Sequence, residues 1–253
     1  MIAILDSLPL WGLGLFTVLL AYSSFECGRR LGRRRRGEAE AALATPVGAG
    51  MGLLAFFLAF TFGIAASRFE ARRQLVLQEA NAIGTAYLRA KLVSEPQSAE
   101  IQRVLREYTD LRIDAARRGA LPAAIARSEA MHGRLWSEAT ALTRSDPHSI
   151  AAGLLVDSLN EVIDLHQLRV TAGLRSRIPA RVWDVLFLLT FLAMLAMGYH
   201  AGQQGMGSSL VILLLVLAFS SVILIIADLD RPLEGSLRVS QLPLIDTRES
   251  MDP

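Results

Sequence analysis

The sequence predicts an all-α membrane protein with four transmembrane helices and a helical-bundle soluble insert between the second and the third. Residues 7–25, 41–67 and 185–227 carry no Asp, Glu, Lys or Arg, and the last stretch is split by a polar segment at 200–209. A helix that crosses a bilayer needs about 20 mostly apolar residues, because its backbone rises about 1.5 Å per residue through a hydrocarbon core of roughly 30 Å. Residues 68–181 are instead rich in charge, with apolar residues recurring at spacings of three and four, the period of an amphipathic helix.

The first span occupies 1–27. No Lys or Arg occurs in residues 1–28, so the segment lacks the positive n-region of a cleavable signal peptide. An Arg-rich loop, 28–40, follows with Arg29, Arg30, Arg33, Arg34, Arg35 and Arg36. Basic residues are kept on the cytoplasmic side. This asymmetry argues for an external N-terminus, an internal Arg loop, and an external insert and C-terminus. The flanks of the insert are also basic, at Arg68, Arg72, Arg73, Arg169, Arg175, Arg177 and Arg181, but long loops translocate largely regardless of charge.

The second span, 41–67, leads into the insert, 68–181. Ile101, Val104, Leu105, Tyr108 and Leu111 form one apolar stripe. Leu121, Ile125, Leu135, Trp136, Ala139 and Leu142 form another, and a third runs from Ile150 through Leu155, Leu159 and Val162 to His166 and Val170. Glu95-Pro96, the stretch 119–122 and Ser145-Asp146-Pro147 mark the boundaries, where Pro or Gly ends a helix and Ser or Asp caps the next. The third span is 182–199, a short polar loop 200–208, the fourth span 209–227, and the C-terminal tail 228–253.

Composition excludes several classes. Lys91 is the lone lysine among 26 basic residues, and no Arg cluster is interleaved with aromatics for base stacking, so nucleic acid is not an expected partner. The single Cys27 allows no intrachain disulfide and no thiolate metal cluster. Glu161, Asp164 and His166 do not share one helical face, and His132 with Glu129 and Glu138 is no better arranged, so no metal site is expected. There is no phosphate-binding loop and no nucleophile motif. The expectation is a non-enzyme without cofactor.

One stretch is more specific: Arg68-Phe69-Glu70-Ala71-Arg72-Arg73, then Glu79-Ala80-Asn81-Ala82-Ile83-Gly84-Thr85-Ala86-Tyr87-Leu88-Arg89, following the second span without a break. After the last span comes Asp228-Leu229-Asp230-Arg231-Pro232-Leu233-Glu234-Gly235, with Val239-Ser240. Together with the order of spans and insert, these segments resemble the bestrophin-like family of bacterial membrane proteins of unknown function. The resemblance covers nearly the whole chain. It implies a relation to bestrophins, pentameric anion channels whose pore is lined by the second span and whose helical insert is cytosolic. That last feature opposes the orientation argued from charge.

The residues themselves support two readings at each candidate site. In the second span, Gly48 and Gly52 fit a small-xxx-small helix contact, whereas Gly52, Phe56, Phe60 and Gly63 share a face suited to a hydrophobic constriction. Arg68, Arg72 and Arg73 either concentrate anions at a pore mouth or anchor the helix at phospholipid phosphates. Glu79 and Asn81 are expected to pair across a helix interface. Asp228 and Asp230 form an acidic pair at the membrane edge, able to hold a cation or simply to be solvated, with Arg231 beside them. The whole reads as a multi-pass protein of the bacterial inner membrane, and the resemblance implies a homo-oligomeric bestrophin-like anion channel or transport-related protein. Its expected partners are lipid, further copies of itself and inorganic anions. A membrane scaffold or signalling protein, with the insert binding a partner, is the alternative.

Overall fold

The computed structural model describes residues 8–34, 40–118, 121–174, 176–205, 210–232 and 235–252, and every regular element among them is a helix. In chain order these are α1 (Leu10–Arg34), α2 (Glu40–Ala90), α3 (Gln97–Arg118), α4 (Leu121–Ser145), α5 (Ile150–Leu174), α6 (Ala180–Gln203), α7 (Leu210–Asp230) and α8 (Leu242–Glu249). By length and composition α1, α2, α6 and α7 are each able to cross a membrane. The chain divides into two compact units: Met1–Phe69 with Arg177–Arg238, and Glu70–Ser176 with Val239–Pro253.

The first unit contains the spans. Here α1 is helical to Arg34 and α6 to Gln203, so Gly28–Arg34 and His200–Gln203 are helix where loops were expected; Arg35 and Arg36 lie outside the described residues. The physical reason is a seam of four glycines. A Cβ at Gly28 would collide with the carbonyl oxygen of Leu195, at Gly32 with that of Tyr199, at Gly198 with that of Phe25, and at Gly202 with that of Arg29. The pairing advances along both helices together, so α1 and α6 run parallel with their backbones in contact. This is the close approach that small residues four apart permit.

Hydroxyls in the spans bond back to their own helices: Thr61 Oγ1 to the Phe57 carbonyl at 2.7 Å and Thr190 Oγ1 to that of Leu186 at 2.8 Å. Such back-bonding satisfies a polar group where lipid offers no partner.

The second unit is a helical bundle with a continuous apolar core. Ile83, Ile101, Leu105, Leu135, Leu155 and Leu159 are fully buried in it. Ser149 caps α5, its Oγ accepting from the Ala152 amide at 3.2 Å. The C-terminal tail, 228–253, does not stand by itself. Instead residues 239–252 are part of this bundle: Leu244 and Met251 are buried in its core, and the Tyr87 hydroxyl donates to the Met251 carbonyl at 2.8 Å. The Arg248 guanidinium reaches Asp110 at 2.9 Å.

Candidate functional site

Within the first unit, α2 has two faces of different character. Leu54, Leu58, Thr61 and Ala65 are buried against the unit's own core. Phe56 and Phe60 each lie two residues from Leu54 or Leu58, about 200° around the axis at 3.6 residues per turn. They are 68% and 58% exposed, and no atom lies within 4 Å of a Cβ built at Gly48, Gly50, Gly52 or Gly63. Gly52, Phe56, Phe60 and Gly63 therefore form a bare apolar strip. Gly48 and Gly52, expected as packing residues, make no such contact within one chain.

The basic residues beyond the span differ from one another. Arg68 is half-buried, Arg72 buried, and Arg73 exposed with an ion pair to Glu70 at 3.2 Å. Arg72 is thus not presented to solvent as a pore-mouth or anchoring charge within the chain. Asn81 is exposed. At the end of α7, Asp230 is buried rather than solvated: its Oδ1 accepts from the Ile178 amide at 2.8 Å, and Oδ2 lies 3.5 Å from Arg177 Nε. Asp228 accepts from the Ser236 hydroxyl and closes the turn at Gly235, while Arg231 donates to the Leu8 carbonyl at 2.5 Å. Both carboxylates fasten backbone. Among the described residues no group of three or more His, Cys, Asp or Glu is placed to hold a metal ion.

The densest polar constellation lies inside the second unit, around Glu79. Its carboxylate accepts from the Tyr108 hydroxyl at 2.6 Å, lies 3.3 Å from Arg112 Nε, and is bound by the Arg169 guanidinium, which also reaches Gln241 at 3.2 Å. Behind Tyr108 stand His166, whose Nδ1 is 3.2 Å from the phenolic oxygen, and His132, with the two imidazoles 4.8 Å apart. Glu79, Tyr108, Arg112, Ser128, His132 and His166 are all buried. Burial and the Glu79 charge push the Tyr108 hydroxyl well above its ordinary value of 10.0. Burial lowers both histidines from 6.5 to about 4, with the Arg112 charge acting in the same direction. Burial also lowers Arg169, against the raising effect of Glu79.

A family model of the bestrophin-like domain matches residues 15–244. The chain belongs to the bestrophin-like family. Among solved structures it is similar to a point-mutant form of a bacterial bestrophin homologue from Klebsiella pneumoniae, at 17% identity over 94% of each chain with a TM-score of 0.66. A second mutant form of that homologue gives 16% identity, the same coverage and a TM-score of 0.63. A further structure, described as a membrane protein, gives 17% identity over 96% of this chain and 95% of its own with a TM-score of 0.62. A comparison with curated proteins finds no match. At these identities the structural likeness establishes a shared fold.

Glu79 stands out in the sequence, but its neighbours in space do not: Tyr108 and His166 fall on apolar stripes, and His132 lies near Glu129 and Glu138 on its own helix. A signal was present. Tyr108 and Arg112, Ser128 and His132, and His166 and Arg169 are polar pairs three or four residues apart on stripes that are otherwise apolar.

Proposed function

We propose that this bestrophin-like protein is a homo-oligomeric anion channel of the bacterial inner membrane, without enzymatic activity, whose pore is lined by Gly52, Phe56, Phe60 and Gly63. The observation that carries the reading is the division of α2: one face is used up by the chain's own core while the opposite face, bare and apolar, is left for a central axis. Aromatic side chains repeated along a pore give a constriction that resists wetting, and the glycines at either end of the pair, Gly52 and Gly63, leave room for an ion. Arg68 and Arg73 supply positive charge past the span, and a ring of such charges raises the local anion concentration. Family membership supports the same assignment, since bestrophins are the anion channels that the sequence resembles.

A scaffold reading has one observation in its favour: the insert exposes Ile150, Leu88 and Leu92, at 80%, 63% and 64%. A neighbouring subunit covers such residues equally well.

Chloride flux from liposomes containing the purified protein tests the proposal, together with the subunit number by native mass spectrometry. The expected result is a ring of subunits, measurable flux, and higher flux in Phe60→Ala, because a smaller side chain lowers the wetting barrier. A monomer, or intact chloride gradients with both folded proteins, overturns it. Orientation follows from single cysteines at Gly37 or Gln97 after Cys27 is replaced. Labelling of Gln97 in intact cells by an impermeant thiol reagent gives the external insert argued from charge, and labelling of Gly37 the cytosolic insert that the family resemblance implies.

A further inference from the structure

The charged and aromatic cluster in the insert has a feature that helix packing alone does not require. Polar residues from four helices meet, all buried except the partly buried Arg169: Glu79 from α2, Tyr108 and Arg112 from α3, Ser128 and His132 from α4, and His166 and Arg169 from α5. Gln241, just before α8, closes it through Arg169. The hydrogen-bond network assigns its own protons. Glu79, held between two guanidinium groups, has no proton to give, so the Tyr108 hydroxyl donates to it. The same hydroxyl then accepts from Nδ1–H of His166, which leaves His166 Nε2 as a bare lone pair. That atom, His132 Nε2 and Ser128 Oγ are buried with no partner in the protein among the described residues.

We propose that His132 and His166 form a buried proton-binding site that leaves the insert tightly packed when empty and loosens it when occupied. The cluster already carries two arginines against one carboxylate. A proton on either imidazole adds a positive charge facing Arg112, and on His166 facing Arg169 as well, and a second proton lands on a ring 4.8 Å from the first. The nearest countercharge, Glu79, is already engaged by Tyr108, Arg112 and Arg169. A buried charge without a free partner is expelled by moving the helices that enclose it. A divalent cation would meet the same guanidinium groups with twice the charge, so the site disfavours a metal more strongly than it disfavours a proton.

The direction of the pH effect follows from the burial that lowers both histidines to about 4. An unfolded chain takes up protons on these residues near 6.5, before the folded insert does. Stability contributed by the neutral pair is therefore fully present above about 6.5 and is lost progressively as pH falls toward 4.

The test uses the full chain in nanodiscs, labelled with carbon-13 at histidine Cε1 and titrated from pH 7.5 to 3.5, with signals assigned by His→Gln variants one at a time. Peptide-resolved amide exchange, corrected for intrinsic rates, is followed in parallel. The expected result is that His132 and His166 stay neutral to well below 6.5. As they take up protons, exchange protection in α3, α4 and α5 should fall by tenfold or more while α1, α6 and α7 keep theirs. In His166→Asn the amide can still donate to Tyr108, so the variant should fold at neutral pH and show a smaller acid transition; His132→Asn should behave likewise. Titration of the pair at the ordinary value, protection that survives protonation, or an acid transition of unchanged size in both single variants overturns the proposal. None of these readouts depends on ion flux, so the result stands apart from that of the channel assay.

Discussion

The glycines of α1 and α6 and those of α2 occupy similar apolar helices in opposite surroundings. Gly28, Gly32, Gly198 and Gly202 lie directly against the backbone of the facing helix, with Tyr199 N 2.8 Å from a Cβ at Gly28. Gly48, Gly50, Gly52 and Gly63 meet nothing within 4 Å. Spacing is not what separates them, since both sets contain glycines four residues apart. The difference is which face of each helix the chain's own core consumes. On α1 and α6 the glycine face is the core face, and on α2 the core face is Leu54, Leu58, Thr61 and Ala65.

Substitutions at the two sets should therefore diverge. The largest expected effect is Gly28→Leu. Its side chain has only backbone to displace, so α1 and α6 must separate, at a cost at or above the upper end of overpacking, about 3 kcal/mol. Thermal unfolding in detergent and expression level are the measurements, and wild-type behaviour would remove the seam as a determinant of the fold. Next comes the second unit, whose apolar core encloses the charged cluster around Glu79. Glu79→Gln leaves the buried Arg112 and the partly buried Arg169 without a carboxylate, and removal of one partner from a buried ion pair typically costs about 3–5 kcal/mol. Amide exchange should show that loss in α3, α4 and α5.

Gly52→Leu sharpens the contrast. Within one chain it should be nearly silent, within about 0.5 kcal/mol as for other open positions, yet it should cut chloride flux by narrowing the strip one turn before Phe56. A flux unchanged beside unaltered stability would place that face in lipid. The smallest effect belongs to Gly133, an exposed helical position in α4 with open space around it. Gly133→Ala should stabilise the insert by about 0.5–1 kcal/mol, because alanine loses less backbone freedom on folding.

The basic residues show the same dependence on surroundings. Arg72 and Arg73 are neighbours in sequence, but one is buried and the other exposed, so the anion-attracting role we propose falls to Arg73 and Arg68. Charge reversal at Arg73 should lower anion preference. The effect should shrink in high salt, as the Debye length falls from about 10 Å at 0.1 M to about 3 Å at 1 M.

Several features followed from the sequence by itself. Runs of some 20 residues without charge determine spans because an ionised side chain or unpaired backbone in hydrocarbon is too costly to be common. The three- and four-residue periodicity determines that the insert is helical, since only that repeat puts Ile101, Val104, Leu105 and Tyr108 on one side. The motifs around Arg68–Arg89 and Asp228–Ser240 pointed to the family. Only the tertiary structure decided which glycines carry a helix contact, because a glycine pattern marks a helix that is able to approach another, without naming the partner. It also decided that residues 239–252 complete the insert, and that Glu79, Tyr108, His132, His166 and two arginines form one cluster. These residues come from separate helices spread over some ninety positions of sequence, and each is polar within an apolar stripe for a reason visible only when the other stripes close around it. Local period and composition are properties of one segment, and the electrostatics of a buried group belong to all the segments that bury it.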